Sequence, residues 1–136
     1  MKYNGVIQRK LALLDDQVQK LRRHTQNLSF AEFESDWVIR SMTERALQVS
    51  AEIMIDIAER IIAIENAGPA AGAGEAIDKL QILGVISSAE PYRSIVRLRN
   101  LIVHEYEQID PEMLYSIITT RLDDFLKFRD EIDRAV

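Results

Sequence analysis

The sequence predicts an all-α domain, a bundle of about four to five main helices. Three observations carry this. Apolar residues recur at helical spacing over most of the chain. Glycine (5) and proline (3) are sparse in 136 residues and gather at a few places that read as helix ends. Leu, Ile, Ala, Glu and Arg, good helix formers on the whole, dominate the rest. The length fits one domain, residues 1–136.

Ile7, Leu11, Leu14, Val18, Leu21, Thr25 and Leu28 alternate in steps of four and three, which predicts a helix from about Tyr3 to Asn27 with one apolar stripe. Lys20, Arg22, Arg23 and His24 near its end either compensate the helix dipole on a solvated face or hold a ligand. Ser29 and Glu32 form a capping box that should open a short helical turn. A long helix is expected from about Asp36 to Asn66. Ile39, Met42, Ala46, Val49, Ile53, Ile57 and Ile64 form its apolar face, widened by Leu47, Met54, Ile61 and Ile62. Arg45, Glu52, Asp56 and Glu59 share the polar side. Glu52 and Asp56 either make pairs along that helix or meet arginines from around Arg97.

Residues 67–74 read as a flexible Ala/Gly loop. It lacks the Lys and Ser/Thr of a phosphate-binding loop. A short helix follows from Glu75 to Leu83, with Gly84 positioned to close it. Ser87 or Ser88 should cap the next helix, which has Pro91 in its first turn and runs to near Val103. Asp110 and Pro111 open a last helix to about Asp133, with Leu114, Ile117, Ile118, Leu122, Phe125, Phe128 and Ile132 on its core side.

The formal charge of −5 argues against general affinity for polyanions, so any nucleic-acid role must rest on a confined site. With no cysteine, disulfides and thiol catalysis are excluded. The absence of a membrane-length apolar run and of a signal-peptide layout predicts a cytoplasmic protein with no membrane association. No cofactor is expected, and no metal: the two histidines lie far apart and no ligand spacing surrounds them.

The chemistry gathers between Arg97 and Tyr106. On a helical projection Arg93, Arg97, Asn100 and His104 share one stripe. Tyr92, Ile95, Val96, Ile102 and Val103 form another, and Arg99 lies on that apolar side. A guanidinium among apolar neighbours needs a partner. Arg99 and His104 diverge by about 140°. They meet only if the helix unwinds near His104, or if two chains each contribute one of them. A histidine transfers protons near neutral pH, and an arginine holds phosphate and stabilises charge growing on it. Together they suffice to cleave RNA without metal, using the ribose 2′-OH as nucleophile. The Arg-to-His spacing alone is a loose signal, since both Arg97 and Arg99 satisfy it. A tyrosine two residues after the histidine sharpens it.

The run Arg99, Asn100, Leu101, Ile102, Val103, His104, Glu105, Tyr106 resembles the R-x4-H-x-Y motif of the HepT-like ribonuclease toxins of the HEPN superfamily. The likeness extends to Asp36-Trp37, to Glu44-Arg45-Ala46-Leu47-Gln48, to Leu83-Gly84-Val85-Ile86 and to Ile109-Asp110-Pro111. The resemblance implies an all-helical homodimer with a composite, metal-independent RNase site at the dimer interface. In it Arg99 and His104 are catalytic, with Asn100 in support. It also implies a partner, an MNT-type nucleotidyltransferase antitoxin that silences the toxin by transferring AMP to Tyr106. Arg93, Arg97 and Arg99, set against Glu90 alone on their helix and doubled across a two-fold axis, should give one basic cleft for an RNA substrate on an acidic body; there Arg97 supports the site. Two rival readings stand beside this one: a non-catalytic nucleotide- or substrate-binding subunit of a two-component nucleotidyltransferase, and a purely structural interaction domain.

Overall fold

A computed structural model describes residue 3 and residues 5–104 and 109–135. They form seven helices: α1 (Gly5–Thr25), α2 (Phe30–Ser35), α3 (Trp37–Ile64), α4 (Ala73–Ile82), α5 (Glu90–His104), α6 (Pro111–Thr120) and α7 (Asp123–Ala135). Helix α3, about 42 Å long at 1.5 Å per residue, is the central strut. Each of the other six packs against it.

Helix α1 buries the stripe its sequence announces, Ile7 through Thr25, against α3 and α7. The Ser29 capping box forms with both hydrogen bonds, Glu32 N to Ser29 Oγ at 3.1 Å and Ser29 N to Glu32 Oε1 at 3.0 Å. It aims Phe33 into the core, where Tyr115 of α6 stacks at 5.7 Å and donates its hydroxyl to Leu28 O at 2.6 Å. Asp36 then caps α3 by accepting from Ile39 N at 3.1 Å.

The buried side of α3 differs from the expected stripe. Thr43, Leu47, Ser50, Ala51, Met54, Ile55, Ile57, Ala58, Ile61 and Ile62 are buried. Ile39, Met42, Ala46, Val49 and Ile53 are half-buried, and Ile64 is exposed. The helix is apolar around so much of its girth that apolarity alone does not choose the inward side. Two small polar residues, Thr43 and Ser50, are fully buried on the inward side.

Helix α3 ends in a Schellman motif, with Asn66 left-handed (φ 56°) and Ala67 N bonded to Ile62 O at 3.0 Å. The Ala/Gly segment that follows is more constrained than its composition suggests. Lys79 Nζ donates to Ala67 O and Pro69 O at 2.9 and 3.0 Å, and Ala71 N donates to Glu75 Oε2 at 2.9 Å. Helix α4 starts at Ala73 rather than Glu75 and closes through Gly84 (φ +77°), with Val85 N reaching Leu80 O at 2.9 Å.

The expected last helix is two helices. Asp110 caps α6 with Pro111 in its first turn, but the helix stops at Thr120. The run Ile117, Ile118, Thr119, Thr120 is β-branched throughout. The hydroxyls of Thr119 and Thr120 donate to the carbonyls of Tyr115 and Ser116 at 2.8 and 2.6 Å, competing with the helix ladder. This break, together with the short α2, raises the helix number above the expected four to five. The all-α class stands, and no helix among the described residues is long and apolar enough to cross a membrane.

Candidate functional site

Helix α5 carries the chemistry. It starts at Glu90, so Ala89, rather than the expected Ser87 or Ser88, immediately precedes it. Ala89 O accepts from Arg93 N at 2.9 Å, and Ala89 N donates to Gln81 Oε1 at 2.8 Å. Ser87 is used elsewhere: its N–H and its hydroxyl both donate to Glu131 Oε1 on α7, at 3.1 and 2.7 Å. Tyr92 donates to the other oxygen of that carboxylate and packs edge-on to Phe128 at 5.1 Å. Burial pushes Tyr92 well above its ordinary value, and the neighbouring carboxylate adds to the effect. For Glu131 burial acts upward, but the bonds from Ser87 and Tyr92 outweigh it and the net shift is downward. This buried cluster fixes the root of α5 against α7. Sequence reasoning missed it, because Glu131 lies on a helix rich in charged residues that are otherwise exposed or half-buried. The available signal was a glutamate at the apolar i+3 position after Phe128.

Tyr92, Ile95, Val96, Leu98 and Ile102 are buried, whereas Val103, expected with them, is 41% exposed. The fold therefore stops covering the apolar side of α5 at its last turn. Arg99 lies on that side, half-buried, and its Nε donates to Asn100 Oδ1 at 2.9 Å. No carboxylate of the described residues lies within 4 Å of it. The other two arginines are engaged. Arg93 pairs with Asp78 of α4, and Arg97 pairs with Glu90 at 2.8 Å while donating to Ser94 Oγ at 2.8 Å. The Arg97 guanidinium holds the Glu90 carboxyl below its usual range. The expected basic patch is thus smaller than the helix alone suggests. Asp78, from a different helix, neutralises Arg93.

His104 is exposed at the C-terminal end of α5. With Arg97, Asn100 and Leu101 it lines a shallow depression of about 300 Å³. Three members of the expected polar stripe therefore meet, the fourth (Arg93) does not, and Arg99 is absent from the depression. Helix α5 stays regular through His104, so the unwinding that would bring Arg99 and His104 together does not occur among the described residues. Tyr106 lies outside them.

The other candidates resolve plainly. Asp56 pairs with Lys10 at 2.6 Å and Arg60 at 3.1 Å, and Glu52 accepts from Gln48 at 3.1 Å. Neither meets the arginines of α5. Lys20 pairs with Asp16, Arg22 with Asp123, and His24 Nδ1 donates to Lys20 O at 2.8 Å, so this cluster closes a helix end. Among the described residues no group of three or more His, Asp or Glu side chains is placed to hold a metal.

The fold and this helix define a class: an all-helical domain presenting an arginine and a histidine on one helix. The chain belongs to the ribonuclease HepT-like family, whose model matches residues 14–132. It is 29% identical over 123 residues to the tRNA nuclease HepT of Aphanizomenon flos-aquae, covering 88% of this chain and 82% of that one. It is 24% identical over 131 residues to the mRNA nuclease HepT of Shewanella oneidensis, covering 95% and 97%. Among solved structures, the tri-AMPylated Shewanella oneidensis HEPN toxin in complex with MNT antitoxin superposes with a TM-score of 0.89 at 23% identity, over 97% of this chain and 99% of that one. The cytosolic protein of unknown function YutE from Bacillus subtilis superposes with a TM-score of 0.82 at 14% identity, over 96% and 88%.

Proposed function

We propose that this ribonuclease-family protein is the toxin of a toxin–antitoxin pair. It acts in the cytoplasm as a homodimer, and its endoribonuclease site is shared between two copies. Arg99 of one copy holds and polarises the scissile phosphate. His104 of the other takes the proton from the ribose 2′-OH, whose oxygen attacks the adjacent phosphorus. The P–O5′ bond breaks, the 5′-oxygen leaves with the proton His104 has taken, and a 2′,3′-cyclic phosphate remains. DNA lacks that nucleophile, so RNA is the substrate. Asn100 orients Arg99, and Arg97 supports the phosphate at the depression's edge.

The observation that carries this is the divergence of Arg99 and His104 on an unbroken helix, with Arg99 lacking a carboxylate partner among the described residues. A two-fold axis brings a second α5 to the first and completes each half-site. An MNT-type antitoxin transfers AMP to Tyr106, two residues beyond His104, and the added charge and bulk exclude RNA. Support comes from the similarity to a HEPN toxin solved tri-AMPylated with its MNT antitoxin.

The test is His104→Ala. RNA cleavage by the purified dimer should fall by about 10²–10⁴-fold with helicity and dimerisation intact. Equal cleavage by both proteins contradicts the proposal. Nucleotide binding that survives the substitution, in a protein with no RNase activity, favours the non-catalytic binding subunit instead.

A further inference from the structure

A larger cavity adjoins the His104 depression. It lies where α5 faces α6 and the start of α7, has a volume of about 420 Å³, and is floored by Leu98, Leu101, Met113, Ile117 and Phe125. Arg97 and Leu101 line both hollows, so the two form one continuous surface. We infer that this cavity is a nucleobase subsite, which takes the base of one RNA nucleotide while its phosphate lies at Arg97 and the His104 depression. The inference rests on the ribonuclease reading and adds where the substrate's base goes.

Size, chemistry and charge favour this occupant. The cavity is concave and mostly apolar, as small-molecule sites are, and it has room for a base and part of its ribose. The Ser116 hydroxyl stands beside the apolar floor and can bond a base edge, and the Thr120 oxygen, whose proton goes to Ser116 O, can still accept from one. Arg97 stands at the junction on an exposed ion pair with Glu90. Such pairs hold weakly in water, so a phosphate can replace the carboxylate. At the far end the carboxylate of Asp124 is engaged by Arg121 at 3.0 Å, which limits its repulsion of an anionic ligand.

The test fills the cavity and removes the base in turn. Ser116→Trp and Thr120→Trp, both at exposed positions on α6, place a ring in the space. The probes are 2′-O-methyl hexanucleotides, which resist cleavage, together with a series each lacking one base. Both variants should weaken binding of the complete oligonucleotide by about tenfold. For one position in the series, loss of the base should abolish that difference. Equal weakening across the whole series, or none, overturns the subsite. So does conversion of both variants to monomers, which would make the cavity a contact between copies. A wild-type protein that neither binds the probes nor cleaves RNA fails at the ribonuclease reading itself.

Discussion

Arg99 and His104 belong to one unbroken helix yet leave it in directions about 140° apart: His104 joins the depression at Arg97 and Asn100, while Arg99 turns to the apolar side and donates to the Asn100 amide oxygen. A cation on the apolar side of a helix is retained where something anionic comes to it. Within the described residues of one chain, nothing does. This divergence is what the proposal of a site shared between two copies explains.

The guanidinium should matter for its shape as well as its charge. Arg99→Lys keeps the charge but loses the planar fork that grips two phosphate oxygens. Steady-state cleavage by this variant should fall by on the order of a hundredfold, mostly in kcat, because the grip strengthens as charge grows on the phosphate. A change confined to KM would assign Arg99 to ground-state binding only.

Glu131 anchors the root of α5 and sets a pH dependence on stability. Glu131→Ala leaves the buried Tyr92 hydroxyl unpaired and frees the exposed Ser87, and should cost about 2 kcal/mol in urea unfolding; Tyr92→Phe, which keeps the packing on Phe128, should cost about 1 kcal/mol. The Glu131 pKa is depressed from its ordinary 4.5, so its contribution is present above that pH and lost as pH falls below it. The Tyr92 pKa is raised from its ordinary 10.0, so its contribution is present below that pH and lost as pH rises above it. Urea midpoints compared between wild type and Glu131→Gln should converge in acid. Parallel curves down to low pH would remove Glu131 from this role.

Gly84 offers a separate test of the α4 cap. A Cβ there meets nothing within 4 Å, so only its left-handed backbone (φ +77°) opposes substitution. Gly84→Ala should cost about 1 kcal/mol, and Gly84→Asn less. A neutral Gly84→Ala would mean that the turn relaxes.

The regulatory arm is tested at Tyr106. Coexpressed with the proposed nucleotidyltransferase antitoxin, the wild-type chain should gain the mass of AMP and lose RNase activity. Tyr106→Phe should gain no such mass and keep cleaving. Added AMP on Tyr106→Phe would place the acceptor elsewhere.

Much of this was legible in the chain, for identifiable reasons. The α1 stripe, the Ser29 box, the Gly84 closure and the Asp110-Pro111 start each depend on residues adjacent in sequence, and each formed as expected. What was missed depends on partners from other helices. Helix α3 is apolar on too many sides to reveal which one faces inward. The threonine back-bonds that end α6 act against a core pattern running straight through Leu122 into α7. At the site, the divergence of Arg99 and His104 was a matter of helical geometry alone. The Asp78–Arg93 pair and the Glu131 cluster needed α4 and α7 in place before they meant anything.

The central claim, that each site takes Arg99 from one copy and His104 from the other, is tested most directly by subunit mixing. Arg99→Ala and His104→Ala dimers, each inactive alone, are unfolded together, refolded at equal amounts and assayed for RNA cleavage. Half the resulting dimers are mixed, and each mixed dimer carries one intact site in two, so about a quarter of wild-type activity should return. No recovery, with mixed dimers confirmed by mass, would place both residues in a site within one chain and contradict the account.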